Sequence, residues 1–223
     1  VVFNGPGAAL AARFGNVYPL LSHFRLLVSG ALGRAITRDS RILDVGCGSG
    51  AWLRRLEALG FRNLTGCDPF LRAPGNEGAI TLVKSEVEEL EGEFDLVMSS
   101  HAMEHLADPA ASLSAMRSRL AADAVLLVRI PVLTSHVWER FGGNWVQLDA
   151  PRHATLFTEA GFRALAQRAG LTVERVEYDA GDFMFLGSKL RERGLFPHRE
   201  DGAFHEQLAA LRDAEGKDAA QSA

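Results

Sequence analysis

Apolar residues recur along this chain in two rhythms, and the alternation between them predicts its elements. Between Asn16 and Ile36, the residues Val17, Leu20, Leu21, Phe24, Leu27, Val28, Leu32 and Ile36 fall at i, i+3 or i+4 spacing, which predicts an amphipathic helix interrupted at Pro19 and Gly30. Ile42, Leu43 and Val45 then form the short β-branched and apolar run of a buried parallel strand, and Ala51 to Leu59 resumes helical spacing. Further strands are predicted at Leu64 to Cys67, Ala79 to Val83, Phe94 to His101 and Ala124 to Ile130, with a sixth at Gly170 to Val176. Helices are predicted from Asp108-Pro109 to Leu120 and from Phe157 to Ala169, the latter capped by Thr158. Strands that alternate with helices imply an α/β fold, a doubly wound and mostly parallel sheet with helices on both faces.

The chain has 223 residues, 47% of them hydrophobic, enough for one well-filled α/β domain. Its formal net charge is −4 and its Lys and Arg residues are scattered, so nucleic acid is disfavoured as a partner. No apolar run approaches the ~20 residues that cross a bilayer, and the Val1 to Pro6 start lacks the basic stretch and core of a signal peptide. A cytoplasmic protein without membrane partners is expected. Cys47 and Cys67 are the only cysteines, and neither a Cys-x-x-Cys nor a His-Glu-x-x-His pair occurs, so packed thiols and no metal are expected. No internal repeat or low-complexity linker is visible.

The first predicted strand ends in Asp44 and breaks into Gly46, Gly48 and Gly50 before the next helix. Such a strand-to-helix turn brings bare backbone and unpaired amides up to a ligand. The spacing is not Gly-x-Gly-x-x-Gly, and no Gly-Lys-Ser/Thr follows, which argues against a P-loop. Asp68, before Pro69, ends the second strand, which in a doubly wound sheet lies beside the first; its carboxylate then faces the ribose of a nucleotide on the glycine turn. That role suits either a methyl donor or a dinucleotide.

Residues 41–50, Arg-Ile-Leu-Asp-Val-Gly-Cys-Gly-Ser-Gly, resemble the first motif of class I S-adenosylmethionine-dependent methyltransferases, hydrophobic-hydrophobic-Asp-x-Gly-x-Gly-x-Gly. The resemblance implies a Rossmann-like domain that binds S-adenosylmethionine, releases S-adenosylhomocysteine, and contacts the cofactor through Asp44, Gly46, Cys47, Gly48, Gly50, Asp68 and Pro69. Lys84 to Leu90 is similar to the family's Gly-Asp-Ala-x-x-Leu segment, with Ser85 for glycine and Glu86 for the acid that meets adenine. Acids favouring a solvated helix N-terminus explain Glu86 equally well. Phe94 to His105 resembles the fourth motif, which implies that Ser99 and His101 border the reactive end of the cofactor; His105 is expected to pack on the following turn.

Residues 132–157 form an insertion rich in aromatic and ionisable groups, and loops of this length in a compact domain are usually functional. Asn144 to Thr158 resembles a Trp-x-x-Leu-Asp-x-Pro-Arg-His-x-x-x-Phe-Ser/Thr pattern in a bacterial subset of these methyltransferases that acts on small molecules or on saccharide and surface-polymer precursors. The resemblance implies a small-molecule acceptor, methylated at oxygen and bound by Trp145, Asp149, Arg152 and His153. His153, then His101, is the candidate general base, since neutral imidazole takes a proton near pH 7. A self-contained loop, with Asp149 paired to Arg152 and His153 bonded to backbone, is the competing expectation.

The expected organisation is an N-terminal helical segment at 1–39, the cofactor domain at 40–195, and a helix and polar tail at 196–223. Class I methyltransferases end in an antiparallel hairpin of sixth and seventh strands, yet no final apolar strand is visible, and the chain starts at Val1; a fragment is therefore expected. Two rival readings are an NAD-dependent oxidoreductase and a non-catalytic cofactor-binding scaffold.

Overall fold

Adjacent residues of the first strand separate two cores. In the computed structural model, which describes residues 36–178, 182–196 and 202–211, β1 spans Arg41–Val45 and is buried from Ile42 onward. Because successive side chains of a strand point to opposite faces, Ile42 joins one apolar cluster and Leu43 the other. The expected helix at 16–36 lies outside the described residues, apart from Ile36, and so does most of the expected 1–39 segment.

Five further strands complete one sheet: β2 Asn63–Cys67, β3 Gly75–Glu77, β4 Ile80–Val83, β5 Phe94–Ser100 and β6 Leu120–Arg129. Their order is β3-β4-β2-β1-β5-β6, and every neighbouring pair is parallel except β3 with β4. The chain thus winds outward from β1 in one direction and then returns to its other side with β5. This reversal opens a crevice beyond the carboxyl ends of β1 and β5, where ligands bind in such sheets.

Helix α1, Ala51–Ala58, places Leu53 and Leu56 against Ile42, Leu64, Ile80, Leu96 and Met98 on one face. Helices α2, Pro109–Ser118, and α4, Glu159–Arg168, cover the other face through Leu113, Met116 and Ala166. Side-chain caps fix where these two start. Asp108 accepts from the Ala110 and Ala111 amides, and Thr158 accepts from that of Gly161.

Two strand expectations need correction. Residues 171–178 form no strand among the described residues: Leu171 and Val173 pack on the α2/α4 cluster, and a cavity of about 360 Å³ separates this segment from β6. The alternation that suggested a strand is satisfied by side-chain packing without a ladder. Conversely, β3 has the sequence Gly-Asn-Glu and is wholly exposed, so no apolar rhythm announced it. Strand β6 also begins earlier than expected, with an irregular register where Phe94 pairs with Leu120 and Leu96 with Val125.

The insertion is structured. Thr134 caps α3, Ser135–Phe141, whose Val137 and Phe141 pack on Trp145. Val146 joins Leu186 and Leu190 of α5, Asp182–Glu192, together with Phe204 and Leu208 of a helix at 203–211. The expected C-terminal helix is present over that stretch; the tail beyond residue 211 lies outside the described residues.

Candidate functional site

The turn after β1 is pinned to the tip of β2. The Gly46 and Cys47 amides donate to the Cys67 carbonyl at 2.8 and 3.1 Å, and the Gly48 amide donates to Asp68 Oδ2 at 2.9 Å. Asp68 Oδ1 accepts the Phe70 amide at 2.8 Å, so the carboxylate shapes the turn as well as its own loop. Gly46 has a positive φ of 73°, and a Cβ there would lie 2.3 Å from Ala102 Cβ; its bareness lets the loop after β5 close on the turn. At Gly48, with φ 54°, a Cβ would meet nothing within 4 Å among the described residues. Among the described residues, Gly48 alone of the three has no side chain or backbone over its bare face. Gly50 precedes α1, and no side chain caps that helix start, which suits it to an anionic or polar ligand group.

Two buried polar atoms at the strand ends lack protein partners. Asp44 is 1% exposed and its Oδ2 has no hydrogen-bond partner among the described residues; Ser99 Oγ on β5 is in the same condition. Burial, reinforced by the Asp68 charge, pushes the Asp44 carboxyl up to about 7. Buried polar atoms are normally paired, so these two call for a polar or cationic ligand. With the Gly48 backbone and the Asp68 carboxylate beside them, they fit the amino-acid and ribose parts of S-adenosylmethionine.

Other expected cofactor residues occupy the same rim in different ways. Cys47 packs on the α1 face and Cys67 on the opposite one; both are free thiols, and burial pushes both up to about 12. Glu86 is exposed at the start of a 3-10 turn, Val87–Glu89, and its carboxyl is raised first by partial burial and then by Glu88, Glu89 and Asp68. Pro69 leads into Phe70, an aromatic 86% exposed at this rim. In the sequence, the isolated aromatic after Asp68-Pro69 is the local signal of this exposed ring.

At the tip of β5 the chain turns through His101, which has φ 54° and donates its amide to the Arg129 carbonyl at 2.8 Å. Its Nδ1 lies 3.2 Å from Glu104 Oε1, and its Nε2 contacts the Arg129 guanidinium. Both ring nitrogens are therefore engaged. Glu104 is 1% exposed, and its carbonyl accepts the Ala154 and Thr155 amides at 2.8 and 3.2 Å, docking the insertion onto this tip.

His105 Nδ1 donates to the Arg152 carbonyl at 2.9 Å and His153 Nδ1 to that of Gln147 at 2.7 Å, the carbonyl partners setting both tautomers. The two rings meet edge to face with centroids 4.7 Å apart. Burial lowers the His153 pKa, outweighing the Gln147 carbonyl and the Glu104 charge, which favours the neutral imidazole. His105 thus does more than pack: it joins two loops.

Asp149 accepts from Arg152 Nε at 3.0 Å and also from its Nη2, and lies 3.7 Å from His153 Nε2. This is the self-contained arrangement of the competing expectation. Trp145 requires correction as a substrate contact. It is 0% exposed, enclosed by Val137 and Phe141, because the insertion is long enough to build its own small core. Arg152 is exposed, and the His153 side chain is 9% exposed.

Bare glycine backbone and the acids Asp44 and Asp68 at the switch point of a doubly wound sheet are the features of an α/β nucleotide-cofactor-binding protein. A profile described as a methyltransferase domain matches residues 18–176, and the chain belongs to that family, whose methyl donor is S-adenosylmethionine. This replaces the oxidoreductase alternative. No curated protein matches the sequence.

Among solved structures, the complex between the Haloferax volcanii Trm112 methyltransferase activator and its methyltransferase matches at 19% identity and TM-score 0.51, covering 80% of this chain and 85% of that one. Magnesium protoporphyrin IX methyltransferase from Synechocystis PCC 6803, with bound S-adenosylhomocysteine, matches at 22% identity and TM-score 0.48 over 64% of this chain and 69% of that one. A Burkholderia thailandensis 1,6-didemethyltoxoflavin-N1-methyltransferase matches at 21% identity and TM-score 0.47, over 64% and 63%. At 19% identity the likeness to the Haloferax volcanii complex concerns the fold alone. No helix among the described residues is long and apolar enough to cross a membrane.

Proposed function

We propose that the protein transfers the methyl group of S-adenosylmethionine to a hydroxyl of a small-molecule acceptor, within a functional unit spanning residues 40–195. The bound sulfonium supplies an activated methyl group, so the chain's work is to orient it, exclude water and receive a proton. Gly48, Asp44, Asp68 and Ser99 hold the cofactor, and Glu86 and Pro69 border it. Residues 132–157 close the acceptor side, with Arg152 and His153 at its edge. The observation that carries this reading is the pair of unpartnered buried atoms, Asp44 Oδ2 and Ser99 Oγ, beside the open backbone of Gly48.

Positioning of a methyl group and its nucleophile contributes on the order of 7 kcal/mol or more, whereas a general base contributes about 10²- to 10⁴-fold in rate. His153 is the better base: its Nδ1 is anchored and its neutral ring leaves Nε2 with a lone pair, whereas His101 is held at both nitrogens by Glu104 and Arg129. His101 is then a positioning residue. The test is incubation with isotopically labelled S-adenosylmethionine and panels of hydroxylated metabolites and saccharides, read by mass shift. A labelled methyl ether supports the proposal; donor binding with methylation only at nitrogen or carbon acceptors would overturn the oxygen assignment.

A further inference from the structure

We propose that Glu104, His105 and His153 form a binding site for a divalent transition-metal cation of the zinc type. No local metal motif exists in the sequence, because the ligands come from two segments that only the fold brings together. One ligand atom from each of the three residues lies within 4.8 Å of the others. In a four-coordinate zinc site such atoms stand about 3.4 Å apart, a closure within reach of the exposed His105 ring.

Three independent features point to a cation. Both imidazoles donate Nδ1–H to a main-chain carbonyl, that of Arg152 at 2.9 Å and that of Gln147 at 2.7 Å, which leaves each Nε2 with its lone pair. Anchoring of the second ring nitrogen in this way orients metal-ligating histidines. Glu104 is 1% exposed, yet its Oε2 has no hydrogen-bond partner among the described residues. An unpaired buried carboxylate oxygen is costly, and a cation would satisfy it. Finally, Glu104 Oε1 is itself held by His101 Nδ1 at 3.2 Å, the outer support that ligating carboxylates carry.

Two imidazole nitrogens and one carboxylate oxygen favour zinc or a neighbouring first-row divalent ion over magnesium or calcium, which require oxygen ligands. The exposed His105 side leaves a fourth position open to solvent or substrate. Occupancy would take His153 Nε2 out of the base role and hand acceptor activation to the cation; that consequence rests on the methyl-transfer reading, whereas the site does not.

The experiment uses tag-free full-length chain, stripped with a chelator and titrated with Co²⁺ by visible absorption and with Zn²⁺ by equilibrium dialysis. One equivalent per chain is expected, with the intense absorption of a four- or five-coordinate cobalt site, and with affinity at least tenfold weaker in both His105→Asn and Glu104→Gln. His136→Asn, on α3, is expected to bind like wild type. Absence of stoichiometric binding by the wild type, or wild-type affinity in both ligand variants, would overturn the site. The wild-type cobalt spectrum stands as a test even if a variant fails to fold. S-adenosylmethionine titrated into the same samples separates the two readings: donor binding without cation binding sinks only the metal site, and cation binding without donor binding sinks only the methyl-transfer reading.

Discussion

The Gly48 amide donates to the Asp68 carboxylate at 2.9 Å, across the mouth of the cofactor crevice. One acid at the tip of β2 therefore holds the glycine turn, and in the proposed function its remaining lone pairs are assigned to ribose hydroxyls. Hydrogen bonds to charged groups contribute about 1.5–3 kcal/mol, so Asp68→Ala is expected to weaken S-adenosylmethionine binding tenfold or more in calorimetry. Asp68→Asn, which still accepts from Gly48, is expected to fall between. Equal affinity in wild type and Asp68→Ala would remove the ribose assignment.

The glycines of the turn are expected to separate into stability and binding positions. Gly46→Ala adds a methyl 2.3 Å from Ala102 Cβ at a positive φ, and overpacking of this kind costs about 1–3 kcal/mol, readable as a fall in Tm. A Cβ at Gly48 meets no atom of the described residues within 4 Å, so beyond backbone strain the effect of Gly48→Val is expected on donor affinity, through intrusion into the crevice. Tight donor binding by Gly48→Val would contradict the proposed loop.

Asp44 is expected to give stability an inverted pH dependence. Burial, then the Asp68 charge, raise its carboxyl from the ordinary 3.8 to about 7 in the folded state. Between those values the folded protein keeps a proton that the unfolded chain releases, so this group's contribution declines as pH rises from about 4 to about 7 and levels off above. The surface carboxylate Asp95, lowered by its bond to Arg41, acts oppositely at more acidic pH. Denaturant midpoints measured against pH for wild type and Asp44→Asn isolate the effect: the Asn variant should gain relative stability as pH rises, by a few kcal/mol at most. A constant difference would refute the assignment.

Trp145 is expected to act through packing. Truncating a fully buried tryptophan to alanine costs about 3–5 kcal/mol, so Trp145→Ala should lower Tm sharply, with Trp145→Phe much milder. A selective rise in acceptor KM with unchanged Tm would restore it as a substrate contact.

Legibility followed how local each signal was. The β1 strand, the glycine turn and α1 were readable because apolar spacing, an acid and three glycines lie within 18 residues and answer to backbone geometry. Asp108 and Thr158 were readable as helix starts for the same reason. The strand at 170–176 failed because alternation specifies which side chains pack inward, and Leu171 and Val173 are partly buried against the α2/α4 cluster without a ladder partner. Trp145 misled because an aromatic in an insertion reads alike whether it faces a ligand or the insertion's own core.

The sequence by itself determined the doubly wound class and the place of the glycine turn, since period-2 and period-3.6 burial and glycine's freedom from Cβ clashes are properties of short segments. Tertiary structure alone decided that Gly46 seats Ala102, that Asp44 and Ser99 carry unpaired atoms, and that His105 and His153 meet over Glu104. These depend on parallel crossovers that bring residues about 50 positions apart to one sheet edge, and no local pattern encodes which polar atoms are left without partners there.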